Sequence, residues 1–342
     1  MKKLSALLIV LVLALGAIGF AACGETTYTV KFDVDGTQTE VTVTDGKFEM
    51  PAGPSKDGYV FDGWYTDKDK WANEFNVYTE VESDMTVYAK FVKIDVTVKG
   101  DKSAEENGAA LKSAVESAKD GAVIYVEKGT YKTEAITVDG NVSVYGAGAD
   151  KTVIEESADA LVFIEVNKNV DFTLSGVSVK GKAGSSSNNL SGVRFGVDGD
   201  DDNDGNLVVK NSKFSGFTKN SVDVNGGNAV VKNNVIECAS VEGNTSNGVV
   251  IDYSATAAVN GNSITGVKST AEEWSATGVL VLRNGKITEI KGNTLKNCES
   301  GICISTYYDE ADDKTALMEG AEAANAFDNC ETNVKNEKKE NN

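Results

Sequence analysis

The chain has 342 residues and a formal net charge of −19, from 33 Lys+Arg against 52 Asp+Glu. That charge repels phosphate backbones and excludes nucleic acid as a partner, and the absence of histidine removes a Ser-His-Asp triad, a histidine base and a histidine-ligated zinc or iron. With 41% hydrophobic residues, 34 Gly and 2 Pro, the composition suits a well-cored, turn-rich chain of two or three domains.

The chain opens Met1-Lys2-Lys3 and runs apolar from Leu4 to Phe20, the pattern of a signal peptide. It continues Ala21-Ala22-Cys23-Gly24. This resembles the lipobox of bacterial lipoproteins, whose Cys becomes the first mature residue and carries the lipid. The resemblance implies a lipoprotein signal peptide over 1–23 and lipidation of Cys23. It also implies an extracytoplasmic protein, lipid-anchored to the bacterial cell membrane and exposed at the cell surface. Cleavage without lipid, or an uncleaved membrane anchor, would leave Cys23 incidental.

Residues 26–93 carry dense strand signals. Tyr28, Val30, Phe32 and Val34 alternate on one face, and Asp35-Gly36 and Asp45-Gly46 are hairpin turn pairs. Val41–Val43 and Thr86–Val92 are further strands. Between them stands Gly58-Tyr59-Val60-Phe61-Asp62-Gly63-Trp64-Tyr65. This octet, with Met50-Pro51 before it and Val87–Phe91 after, resembles the Listeria–Bacteroides (internalin B-type) repeat. The resemblance implies a small β-grasp-like module that serves bacterial surface proteins as a spacer or weak ligand binder. A domain this small depends on aromatic burial, which places Trp64 in the core; the other reading of Trp64 is a binding residue.

In residues 94–336, Ser103 and Glu106 form a capping box, and Leu111, Ala114, Val115 and Ala118 share one face of the helix that follows. Strand segments follow at 122–131, 142–148 and 152–154. This order resembles the opening of right-handed parallel β-helices of the pectin-lyase-like superfamily, where an amphipathic helix caps the first coil. The remainder repeats in two phases. One phase holds the tetrads that begin at Gly192, Ser221, Gly248, Gly278 and Gly301, spaced 29, 27, 30 and 23 residues apart. The second and fourth residues of every tetrad are apolar, so period-2 alternation sends both inward. The other phase holds Asn234, Asn262, Asn293 and Asn325, with Ser212 in line before them. The expected fold is all-β: a β-grasp-like module, then a right-handed parallel β-helix with an N-terminal capping helix. Eight or nine coils would form a rod of roughly 40 Å. Residues 337–342 read as a disordered tail.

The Asn row reads as a ladder at a turn, each Asn accepting left-handed geometry and bonding the copy above, or else as a polar ligand row. Cys298 and Cys330 hold equivalent repeat positions, with Cys238 and Cys303 in nearby coils. They read as a column of buried thiols or, between Cys298 and Cys330, as a disulfide.

Residues alternating outward from the tetrads line a continuous face. Arg194, Asp223, Val250, Leu280 and Cys303 form one column, and Gly196, Asn225, Asp252, Leu282 and Ser305 the next. The pectin-lyase-like resemblance implies cleavage of acidic polysaccharides on such a face by an Arg or Lys base, often with calcium, or by clustered Asp. Arg194, Asp223 and Asp252 are the nearest candidates for catalysis, yet adjacent Arg194 and Asp223 also read as an ordinary ion pair. Asp198, Asp200, Asp202 and Asp204 precede Gly205 at the spacing of a calcium loop, but Asn211 stands where an EF-hand needs Glu. They form either a Ca2+ turn or a solvated acidic loop. Trp274 can stack on a sugar ring or fold onto its own coil. These features favour a non-catalytic surface lipoprotein that binds a glycan, cell-wall material or another cell-surface ligand. The alternative is a membrane-tethered polysaccharide lyase or glycoside hydrolase.

Overall fold

A computed structural model describes residues 25–158, 160–182, 191–197, 199, 202–239, 244–270, 276–305 and 315–336. Cys23, Asp198, Asp200, Trp274, the signal segment 1–23 and the tail 337–342 lie outside the described residues. The described chain forms two compact units, residues 25–52 with Trp64–Ala89, and Gly53–Gly63 with 90–336.

Strand Thr27–Val34 pairs antiparallel with Thr37–Thr44 and parallel with Met85–Lys93 in a five-stranded mixed sheet. The hairpin reverses at Asp35 and Gly36, with φ of 50° and 92°. Both central residues are left-handed, as a two-residue turn of matching twist requires. In the first unit Phe32 meets Trp64 edge-on at 4.9 Å and Phe75 at 5.8 Å. Trp64 is 4% exposed, which makes it core.

The second unit contains the right-handed parallel β-helix. Among the described residues, three sheets of eight strands stack one strand per coil. Sheet 1 includes Ala122–Val126, Asn206–Lys210, Thr256–Asn260 and Lys286–Lys291. Sheet 2 includes Lys213–Ser215, Val235–Glu237, Thr294–Lys296 and Ala326–Asp328. Sheet 3 includes Val162–Val166, Ser191–Phe195, Asn220–Asn225, Asn247–Asp252, Thr277–Val281, Ser300–Ile304 and Thr332–Lys335. The tetrads pair in the expected register: Arg194 lies opposite Asp223, Asp223 opposite Val250, Val250 opposite Leu280, and Leu280 opposite Cys303. Val193, Phe195, Val222, Val224, Val249 and Ile251 are fully buried. The tetrad glycines have a steric cause. A Cβ on Gly301 would meet the Asn333 carbonyl oxygen and the Phe327 ring, both at 2.6 Å, and one on Gly278 would strike Gly301 O and Leu295. At Gly278 and Gly301 the corner brings the next coil's backbone and a sheet 2 core side chain against the strand start, leaving room only for hydrogen.

Helix α1, Ala104–Glu116, closes the first coil. Ser103 Oγ accepts the Glu106 N–H at 3.2 Å and the Glu106 carboxylate accepts the Ser103 N–H at 3.3 Å, completing the capping box. Leu111 and Val115 are buried against the core. Helix α2, Thr315–Ala324, packs Leu317, Met318 and Ala321 on the same core near the last coil.

Asn234, Asn262 and Asn293 form a buried ladder. Asn262 Oδ1 accepts the Asn234 N–H at 3.1 Å and Nδ2–H at 3.0 Å, and Asn293 Oδ1 accepts both from Asn262 at 2.9 Å. Ser212 N–H begins the row on Asn234 Oδ1, and Asn325 ends it by donating to Ala321 O in α2. One detail differs from expectation. The ladder residues are not left-handed; the residue before each is, at Asn211 (52°), Asn233 (55°), Gly261 (65°) and Gly292 (65°). The corner bends one residue early, which turns the following amide inward to reach the next coil.

Within this second unit lies a buried ionic cluster. The Asp62 carboxylate meets Lys210 Nζ and Lys90 Nζ, each at 2.8 Å, and accepts the Tyr145 hydroxyl at 2.8 Å. Lys210 also donates to the Asp62 carbonyl at 2.6 Å. Burial pushes Asp62 up, but Lys210 and then Lys90 outweigh it and hold the carboxyl below its usual value.

Candidate binding face

Sheet 3 presents the outward columns, and alternation along each strand sets which side chains reach them. The charges sort differently from expectation. Arg194 NH2 binds Glu165 at 2.7 Å on the preceding coil, whose strand places Glu165 opposite Arg194. The ion pair expected between Arg194 and Asp223 is replaced by this one because Glu165's longer side chain reaches the guanidinium from the other side. Asp252 is paired with Arg283, whose guanidinium lies 4.0 Å over the Tyr253 ring. Asp252 Oδ1 also accepts the Tyr253 N–H at 2.8 Å.

The outward columns are also less open than their direction implies. Asp223, Val250 and Asp252 are each about 5% exposed and Cys303 is fully buried. Parallel strands less than 5 Å apart put in-register side chains in contact above and below.

Two donors on this face are buried and lack a hydrogen-bond partner among the described residues: Arg194 Nε and Asn225 Nδ2. Asn225 follows Asp223 by two residues, so both lie on the outward side. Gly196, with φ of 72°, stands beside Asn225; a Cβ there would strike the Asn225 carbonyl oxygen and approach Asn203 Nδ2 at 3.0 Å. Residue 196 therefore packs directly on the Asn225 backbone, where only glycine fits.

Of the acidic turn, Asp202 pairs with Lys168 at 3.1 Å, and the Asp204 N–H donates to Asn169 Oδ1 at 2.8 Å. The turn's buried anchor is Asn203, whose Oδ1 accepts from Asn169 N–H at 2.8 Å and Gly205 N–H at 3.0 Å. Among the described residues, no three Asp, Glu or Cys side chains are grouped to hold a metal ion.

Sequence reasoning missed Glu165 and Arg283. Glu165 was signalled by Ile164-Glu165-Val166, which alternates as the tetrads do. Arg283 sits after its strand at φ 45°, outside any pattern.

Comparison with known proteins adds to this geometry. Residues 28–90 match the Listeria–Bacteroides repeat domain. Internalin H of Listeria monocytogenes serovar 1/2a is 44% identical over 68 residues, which are 19% of this chain and 12% of the relative. The chain thus covers well under two thirds of that relative's length. The repeat contains the Gly58–Tyr65 octet and the Phe32–Trp64–Phe75 aromatic core. Among the described residues no helix is long and apolar enough to cross a membrane.

Proposed function

We propose that this is a surface-displayed, non-catalytic binding protein, held at the membrane by lipid on Cys23, whose sheet 3 face takes up glycan or cell-wall material. The likeness of residues 28–90 to a repeat found in an internalin supports a surface or adhesion role. The observation that carries the binding reading is the pair of buried donors without a partner among the described residues, Arg194 Nε and Asn225 Nδ2. A buried donor without an acceptor costs about 1–3 kcal/mol, and a ligand hydroxyl or carboxylate oxygen would relieve that cost. Both arginines already neutralise a carboxylate, at Glu165 and Asp252. Glycosidic cleavage needs an acid and a base tuned near the working pH, and a carboxylate held in an ion pair supplies neither.

The test is a glycan array together with product release from plant, algal and host polysaccharides, using the purified full chain. Weak binding that falls about tenfold in Asn225→Ala and in Arg194→Ala, with no product, is the expected result, as the loss of one hydrogen bond to a charged or buried group implies. Unsaturated or reducing-end products that vanish in Arg194→Ala or Asp252→Ala would establish the lyase or hydrolase instead. The anchor is tested separately. Cys23→Ser should release the protein from membranes or leave its precursor uncleaved.

A further inference from the structure

The last two coils bring two cysteines to the same corner. Leu295 lies opposite Phe327 and Lys296 opposite Asp328, so Cys298 and Cys330 each stand two residues past a paired strand end. The register continues through the corner. Asn297 N–H donates to Asp328 O at 2.9 Å, Glu331 N–H to Cys298 O at 3.0 Å, and Thr332 N–H to Glu299 O at 3.1 Å. The preceding residues match as well: Asn297 and Asn329 are both left-handed, at 53° and 55°, and share a hydrogen bond of 2.8 Å. The Cys330 thiol donates to Leu295 O at 3.4 Å on the preceding coil, and the Cys298 thiol to Lys296 O at 3.5 Å on that same coil, so both sulfurs sit at one corner. Coils stacked at strand spacing put the two Cα atoms within the range a disulfide spans.

We propose that Cys298 and Cys330, which are free thiols in this structure, are a site of reversible disulfide formation that staples the last coil to the one before it. Cys330 is partly exposed and Cys298 buried, which sets the order of events. The Cys330 thiolate attacks an external small-molecule disulfide such as oxidised glutathione, forming a mixed disulfide and releasing one thiol. Cys298 then gives up its proton and attacks the Cys330 sulfur, releasing the second thiol. Two protein thiols are oxidised and one external disulfide is reduced to two thiols, so electrons and protons balance. Burial, and then the neighbouring Cys330, push the Cys298 thiol up to about 12.

The bond would act at one end of the described solenoid. Among the described residues, Ala326–Asp328 and Thr332–Lys335 end sheets 2 and 3, so each pairs on one side only. The segment closed between the cysteines contains Ser300–Ile304 and α2.

The experiment compares a full-length Cys23→Ser chain held in oxidised glutathione with one held in dithiothreitol, at pH 8. Glutamyl endopeptidase cuts after Glu299 and so separates Cys298 from Cys303. The expected result is a fall of two in the free-thiol count and a Cys298–Cys330 linked peptide. Amide exchange across residues 326–335 should slow by roughly tenfold or more, reversibly, with no slowing in Cys330→Ser. An unchanged thiol count, a linkage to Cys238 or Cys303, or unchanged exchange in the linked protein would overturn the proposal. The peptide map of the Cys23→Ser chain identifies the linked pair whether or not the Cys330 variant folds.

Discussion

Replacing Asn262 by alanine tests the ladder at its centre. Asn262 is 1% exposed, and its side chain makes four hydrogen bonds. It accepts two from Asn234 and donates to Asn293 Oδ1 and to Val231 O, both at 2.9 Å. At about 1 kcal/mol net for each bond, the loss sums to roughly 4 kcal/mol. One of the four is the backbone N–H of Asn234, itself 1% exposed, which is left buried without its acceptor. A loss of about 3–4 kcal/mol by urea unfolding is therefore expected to come with faster exchange of the Asn234 amide, by an amount that matches one orphaned donor. Asn297→Gly is the control. It keeps the left-handed corner and gives up one exposed hydrogen bond, so it should change stability by less than about 0.5 kcal/mol. If Asn262→Ala stays within about 1 kcal/mol of the parent and Asn234 remains protected, the ladder stabilises far less than its geometry implies.

Gly278→Ala should destabilise by at least about 2 kcal/mol, because a Cβ would collide with Gly301 O and Leu295, whereas Gly140→Ala meets nothing and should be neutral; equal melting temperatures would refute the corner argument. Asp62→Asn should cost about 3 kcal/mol by stranding Lys210, whose side chain is 4% accessible. Because the folded pKa of Asp62 is depressed, its contribution is complete above the unfolded value and disappears as pH falls through the native one. The parent should therefore lose stability more steeply than Asp62→Asn below about pH 4 in acid titrations followed by circular dichroism, and parallel curves would count against the cluster. Calcium at millimolar concentration should move the melting temperature by less than about 1 °C, since Lys168 holds Asp202 and the turn's buried anchor is an amide; a larger rise that Asp202→Asn removes would make the acidic turn a cation site.

What could be read from the sequence was what repeats. The tetrads carry their register because each copy places Val, Ile or Phe at the same two parities, and a one-residue slip would turn all of them outward. The capping box at Ser103 and the Asn row were legible for the same reason: each is a local spacing with one physical cause. The left-handed residue before each member of the row was not, since it is Asn before Ser212 and Asn234 and Gly before Asn262 and Asn293. Asp62 and Lys210 stand 148 residues apart, and no periodicity connects them. On sheet 3 the residue types were visible but their partners were not: Arg194 has an acid on both neighbouring coils, and it pairs with Glu165.

The asparagine ladder also has a direction. Every inner rung offers two donors to the coil after it and one carbonyl oxygen to the coil before it, so an extra coil copied between Asn262 and Asn293 would find both neighbours already complementary. The ends are not interchangeable with the middle. Ser212 opens the row with its backbone N–H, and Asn325 directs its amide to the Ile290 and Ala321 carbonyls. A lineage can therefore change the reach of this solenoid by duplicating or deleting whole interior coils, one strand spacing at a time, without redesigning either terminus. Growth beyond Asn325 would first have to remove α2.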